Sequence, residues 1–401
     1  MTAAERERYV DFARAALADS TTEPVEVTTA RRVLQAALTS PNFLFRGEGM
    51  AGGGGAVPGL ALASRLSYFL WSSTPDARLL ELGSTGAFAD PAVLLAEVDR
   101  LLADPRADAL ATEFAAQWLE LRNLRDTTPD PERFPVFDDA LRASLRRETE
   151  LLFVAVMRDD LDVRTLLDCD FTHLDARLAA LYGIERPADA AADEFVRVPL
   201  PASHRRRGGV LGHGSILAVT SNPTRTSPVK RGKWILENIV GEPPPPPPPG
   251  NDSLSNEEAI DSSQSFREQL AQHREDSKCA VCHDRMDALG LALERFDAIG
   301  RFRESDAGGV IDCSGELPGG VVVDGITDLK AVLRADPAFV RTLLRKLFVF
   351  GVGRAPRPVD ELRLDLAAAM MLERGPVTIR DLVRTIVLGD AFRLRRAAAV
   401  R

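Results

Sequence analysis

Ser277-Lys278-Cys279-Ala280-Val281-Cys282-His283-Asp284-Arg285-Met286-Asp287-Ala288-Leu289-Gly290-Leu291 is the stretch from which the rest of the chain is read. A helix is expected over 264–273 and another from the motif to about Arg295, so the Cys-x-x-Cys-His sits between helices. Two thiols one helical turn apart can each bond one vinyl group of a haem. The histidine directly after the second thiol then lies under the iron and supplies its proximal nitrogen. The expectation is one covalent haem c on Cys279 and Cys282, with His283 as ligand. A zinc site would need a second Cys or His pair, and Cys169, Cys313 and the other histidines are all single. A thioredoxin-like pair would need a preceding strand in a βαβ setting. Two buried structural thiols remain the alternative.

The sixth iron ligand is not fixed by sequence. Met286 lies three residues after His283, on the same helical face, and cannot cross the porphyrin, so it is read as packing. His273 is too close to the motif. His213, flanked by glycines in a separate unit, is the distal candidate, ahead of His173 and His204; its other reading is a hydrogen-bonded structural histidine. An open or water-ligated iron is equally compatible. Arg225, Lys230, Arg231 and Lys233 form a basic cluster that either neutralises haem propionates or covers a solvated helix face. Asp284, Asp287 and Glu294 are read as surface charge, with tuning of the haem as the other reading.

Outside the motif the chain reads as mainly α. Its 401 residues are 45% hydrophobic and 27% charged, with a net charge of −9. That balance suits a globular protein and argues against nucleic acid as the main partner. No apolar run is long enough for a membrane span, and the charged start is no signal peptide. Helices are expected over 29–38, 60–71, 91–102, 107–121 and 141–157. Two more begin at the cap pairs Ser227-Pro228 and Asp336-Pro337. Residues 51–55 are a flexible glycine-rich connector, and Pro243 to Pro249 must be extended polyproline II. A small hairpin is expected near 308–325, pairing Gly308-Gly309-Val310-Ile311 with Val321-Val322-Val323 across Pro318-Gly319-Gly320. The division is a helical remnant at 1–24, an all-helical domain at 25–190, a CxxCH domain at 195–325 containing the polyproline segment, and a helical C-terminal domain at 326–401.

Several stretches together resemble a large cytochrome-c-associated, multi-domain family of unknown function found in planctomycetes and myxobacteria. They are Ser40-Pro41-Asn42-Phe43-Leu44-Phe45-Arg46-Gly47-Glu48, Arg65-Leu66-Ser67-Tyr68-Phe69-Leu70-Trp71, Asp170-Phe171-Thr172-His173-Leu174, Thr224-Arg225-Thr226-Ser227-Pro228-Val229-Lys230-Arg231-Gly232, the motif through Arg301, and Leu347-Phe348-Val349-Phe350-Gly351-Val352-Gly353-Arg354. The resemblance implies a further N-terminal region with an export signal and often another cytochrome c domain, so the chain is expected to be truncated. It names a group and not a reaction. It also implies small residues where this chain has Cys169 and Cys313, which makes a disulfide between them an expectation to test.

The functional expectation is an exported, periplasmic or cell-surface c-type haem protein. It would transfer electrons to a redox partner protein or an additional cytochrome domain. The alternatives are a haem oxidoreductase with an open iron site and a non-catalytic scaffold whose CxxC is structural.

Overall fold

The structure is a computed structural model that describes residues 3–18, 24–44, 54–245, 267, 277–306 and 309–395. The expected helix at 264–273, the glycines at 51–53 and most of the proline run lie outside the described residues.

Local signals in the sequence set most helix ends. Ser227 is the N-cap of helix Pro228–Ile235: its Oγ accepts the Lys230 N–H at 3.3 Å, and Pro228 fills the first helical position. Asp336 Oδ1 accepts the Ala338 N–H at 2.8 Å at the start of helix Ala338–Val352. Asp76, Asp90, Asp138 and Asp175 each cap a helix in the same way. The result is a mainly α protein with a few small antiparallel strand pairs.

Three departures from the sequence reading have physical causes. The expected helix at 107–121 is broken into a π turn, Leu110–Ala115, a short α segment, Ala116–Trp118, and a 3-10 turn, Leu121–Asp126. The break still buries Phe114 and Trp118, stacked at 5.8 Å between ring centroids. In the N-terminal region, Phe171–Leu174 pairs with Val196–Pro199, so that region is not all-helical and the strand pair spans the expected boundary at 190–195. The hairpin at Pro318-Gly319-Gly320 forms, but Val321–Asp324 pairs with Ser314–Leu317, while Gly309–Val310 pairs with Ser305–Asp306. Gly319 and Gly320 take φ values of +93° and +80°, which makes a tight reversal, and a tight reversal pairs only the strands directly flanking it. Gly55, read as part of a flexible connector, pairs with Arg395.

One cluster of buried apolar side chains takes residues from Val57 to Phe392, with two smaller clusters beside it, around Leu145 and Tyr182 and around Phe134 and Ile299. The CxxCH helix, Ser277–Leu291, is embedded in it through Met286 and Leu289. This helix packs against helix Pro228–Ile235 and strand Ser314–Leu317. The contact is backbone to backbone. A Cβ on Gly232 would lie 1.8 Å from the Met286 carbonyl oxygen, and one on Gly290 would lie 1.8 Å from the Pro228 carbonyl oxygen. On the other side, a Cβ on Gly315 would lie 2.8 Å from Ala288 Cα. Only glycine fits at these three points, because the obstacle is main chain and cannot rotate away.

Gly232→Ala and Gly290→Ala are therefore expected to be destabilising by about 1–3 kcal/mol each, the usual range for overpacking, or more if the helices cannot separate. Urea unfolding would measure it. A change below about 0.5 kcal/mol in both variants would mean that the helix pair is loosely held.

Candidate functional site

His283 lies in the second turn of the CxxCH helix. Its Nδ1 donates to Asp287 Oδ1 at 3.1 Å, the i,i+4 spacing that places both on one face. The His283 side chain is 13% exposed and that of Asp287 is 0% exposed. Asp287 is thus not surface charge, as its sequence setting suggested. It is a buried carboxylate that fixes the imidazole's orientation and tautomer. A carboxylate on one ring nitrogen also raises the donor strength of the other, the arrangement common behind metal-ligating histidines. The side chains of Cys279, Cys282 and Asp284 lie outside the described residues. Met286, 6% exposed, is packed in the main core, which is how its position on the helix was read.

The basic cluster divides. Arg231 is 1% exposed and is not part of a solvated face. Its guanidinium donates to the carbonyl oxygens of Leu293 at 2.7 Å, Phe296 at 2.9 Å and Asp297 at 3.0 Å. Those three carbonyls terminate the CxxCH helix and its following turn, so Arg231 latches that turn to helix Pro228–Ile235. Burial pushes its pKa down to about 10, partly offset by Glu294, so it stays charged at neutral pH. Glu294, also read as surface charge, is buried: Thr226 and Arg303 both donate to its Oε1, and Arg231 is 3.7 Å from Oε2. Lys230 is exposed and donates to Asn222; Arg225 is half-buried; Lys233 is exposed beside Glu237.

The structure does not bring His213 into this group. It is fully buried at the start of helix Gly214–Val219, with Nδ1 2.9 Å from Thr149 Oγ1 and Nε2 3.7 Å from Glu148 Oε1. Its surroundings form a second polar cluster that the sequence reading missed. Glu148 Oε1 accepts from Thr172 and Oε2 from Tyr182, each at 2.7 Å. Tyr182 OH in turn accepts the Gly214 N–H at 3.0 Å, and the buried Arg207 stacks over the Tyr182 ring at 3.9 Å. Nothing in sequence links Glu148, on helix Asp139–Arg158, with Tyr182 and Arg207, because the contact is tertiary. Among the described residues, no group of three or more His, Cys, Asp or Glu side chains is arranged to hold a metal ion. Cys169 and Cys313 are buried free thiols; the disulfide expected from their departures is not formed.

Burial raises the Glu148 pKa to about 7, against the opposing pull of its Tyr182 and Thr172 hydrogen bonds and of Arg207. Burial lowers that of His213 to about 3, helped by Lys330 and Arg207, so His213 is neutral. The Glu148 contribution to stability is fully present below its unfolded pKa of 4.5 and is lost as pH rises towards 7. Glu148→Gln loses one hydrogen bond at every pH but removes that pH-dependent penalty. The variant is expected to be less stable than the wild type near pH 4.5, and the gap should close by up to roughly 3 kcal/mol by pH 7.5. Chemical unfolding across this range tests it; a gap independent of pH would mean that the carboxylate ionises without penalty.

Comparison with known proteins finds three families along the chain, each of proteins of unknown function. DUF1592 matches residues 58–184, DUF1588 matches 207–306 and DUF1585 matches 319–392. No curated protein and no solved structure matches. The CxxCH helix and the strip that receives it, 224–232, both fall within the DUF1588 match, and the Glu148–Tyr182–Arg207 cluster joins that match to the DUF1592 match. The chain is a succession of DUF1592, DUF1588 and DUF1585 domains, the arrangement of the multi-domain, cytochrome-c-associated family of unknown function that its sequence resembles.

Proposed function

We propose that this chain is an exported c-type haem protein that transfers electrons, with the haem held by Cys279 and Cys282 and ligated by His283. The observation that carries the reading is the His283–Asp287 pair. A histidine directly after a CxxC is held by a buried carboxylate on Nδ1, which presents Nε2 as the ligating nitrogen. The donor set fits the group: two cysteine positions one helical turn apart on one helix, and an oriented imidazole on that helix, which is fixed at the backbone. A haem bound there supplies a one-electron iron couple. The chain's own residues do the rest. Gly232, Gly290 and Arg231 hold the helix, Asp287 orients and enriches the imidazole, and Arg225 and Lys230 would face the propionates in this reading. Covalent haem is attached outside the cytoplasm, so the same reading makes the protein periplasmic or cell-surface. A redox partner protein, or a further cytochrome domain, would take the electron.

Two measurements test this. Protein made with the haem-attachment machinery should give a pyridine haemochrome spectrum of one haem per chain, lost in the Cys279→Ser/Cys282→Ser double variant. No covalent haem would sink the proposal and leave the CxxC a structural pair. In the haem-loaded protein, Asp287→Asn should raise the reduction potential, because the neutral amide no longer strengthens the histidine as a donor to Fe(III). A tenfold change in the equilibrium is about 59 mV for one electron.

A further inference from the structure

A cavity of about 780 Å³ lies where the three domain matches meet. Its lining comes from residues 114–120 of the first match, 237–243 of the second and 342–353 of the third. The backbone there is irregular. Two π turns, Leu110–Ala115 and Leu236–Val240, supply Phe114 from one and Asn238 from the other. A π turn carries one extra residue, which re-aims the side chains around it, and such turns recur at functional sites. Glu120 follows with φ at +60°, a left-handed conformation that glutamate seldom adopts.

Three polar side chains form a row in this cavity. Asn238, 3% exposed, donates from Nδ2 to Glu120 Oε1 at 3.2 Å and accepts at Oδ1 from Lys346 Nζ at 3.2 Å. Its backbone carbonyl oxygen accepts the Trp118 indole N–H at 2.8 Å, which fixes its position. A buried amide therefore stands between a carboxylate and an ammonium. Among the described residues Asn238 is the hydrogen-bond partner of both side chains, and neither is in an ion pair. The other charges of the lining are committed elsewhere: Glu237 lies 3.7 Å from Lys233, and Arg345 pairs with Glu361 at 2.8 Å. Lys346 keeps two N–H groups, and Glu120 its second carboxylate oxygen, for a further partner. Beside them the lining is apolar, with Phe114 and Trp118 buried and Val349 and Phe350 more exposed.

We propose that this cavity binds a small zwitterion with an apolar side group, of the α-amino-acid class. The ligand's carboxylate accepts from Lys346 Nζ, its ammonium donates to Glu120, and its side group lies on Val349 and Phe350. A simple anion would be opposed by Glu120 and a simple cation by Lys346, so a ligand carrying both charges satisfies the pair. The spacing suits this class: Asn238 joins the two side chains through a single amide group, and an α-amino acid holds its ammonium and carboxylate at a similarly short interval. The volume falls within the range of small-molecule sites. Glu120, Asn238 and Lys346 each come from a different domain match, so bound ligand stabilises their junction. The site is independent of the haem reading.

The test is calorimetric titration of the full chain with L-phenylalanine and L-leucine. For each, the analogue without the ammonium (3-phenylpropionate, 4-methylpentanoate) and the amide without the carboxylate (L-phenylalaninamide, L-leucinamide) are titrated beside it. At least one amino acid should bind saturably at one site per chain. Its two analogues should bind about tenfold more weakly, the loss of one charge-assisted hydrogen bond. Glu120→Gln keeps an acceptor for Asn238 and should weaken the amino acid about tenfold without weakening the analogue that lacks the ammonium. Lys346→Gln should weaken the amino acid to the same degree without weakening the amide. A bridge with a purely structural role would show no such matching of variant to analogue. The analogue comparison uses the unmutated chain and stands whether or not the variants fold. Absence of saturable binding of both amino acids, or analogues that bind as tightly as their parent, would overturn the proposal.

Discussion

Two helices in this protein touch at their backbones, and the rest of the CxxCH region depends on that contact. Gly232 faces the Met286 carbonyl and Gly290 faces the Pro228 carbonyl, so each helix supplies the glycine that the other's main chain requires. At such a distance no side chain mediates the packing, and small sliding motions meet backbone directly. Gly315 presses from the opposite side against Ala288. The helix is thereby clamped at residues 286–290, within two turns of His283. With the helix clamped, the carboxylate at i+4 holds the imidazole in one orientation.

The clamp is reinforced by charges that would be costly if left alone in the interior. Arg231 is 1% exposed, yet three carbonyls and a nearby carboxylate surround its guanidinium. A buried cation with that many acceptors is tolerated, but removing it would leave carbonyls without donors, which costs more than the bonds themselves are worth. The strip 224–232 can therefore be understood residue by residue. Thr226 holds Glu294, Ser227 and Pro228 start the helix, Arg231 latches the turn after the CxxCH helix, and Gly232 admits that helix's backbone. Lys330 does similar work at a distance, donating from the C-terminal region to the Arg205 and Arg206 carbonyls.

What the sequence made legible was local. The cap pairs at Ser227-Pro228 and Asp336-Pro337 rest on interactions within four residues, and the structure bears both out. The turn at 318–320 was also local, but which strand it paired was decided by chain proximity and not by the apolar pattern around Gly309. The Phe171–Leu174 pairing with Val196–Pro199 joins short strands across a helix, and no periodicity within either segment announces it. Buried charge was the least legible feature. Arg231, Asp287 and Glu294 sit in helical or turn stretches rich in charged residues, where the solvated reading is the default. Asp287 still had a usable signal, its i+4 spacing from His283. Glu148, Tyr182 and Arg207 had none, since their meeting requires the whole fold.

The main core draws its residues from all three domain matches, so the three pack on one another through apolar side chains. Apolar packing from Val57 to Phe392 includes the CxxCH helix, and two polar clusters accompany it: Arg231–Glu294 within the second domain and Glu148–Tyr182–Arg207 between the first and second. In such an arrangement a displacement of the CxxCH helix cannot be absorbed locally. It would open backbone contacts at Gly232 and Gly290 and strip donors from the carbonyls of residues 293–297. A haem at His283, as proposed, would be held by a support whose alternatives are all costly. That is the condition under which a change of charge at the group meets a fixed environment and not a relaxing one. It suits the proposed electron-transfer role, in which charge state changes without a change of shape.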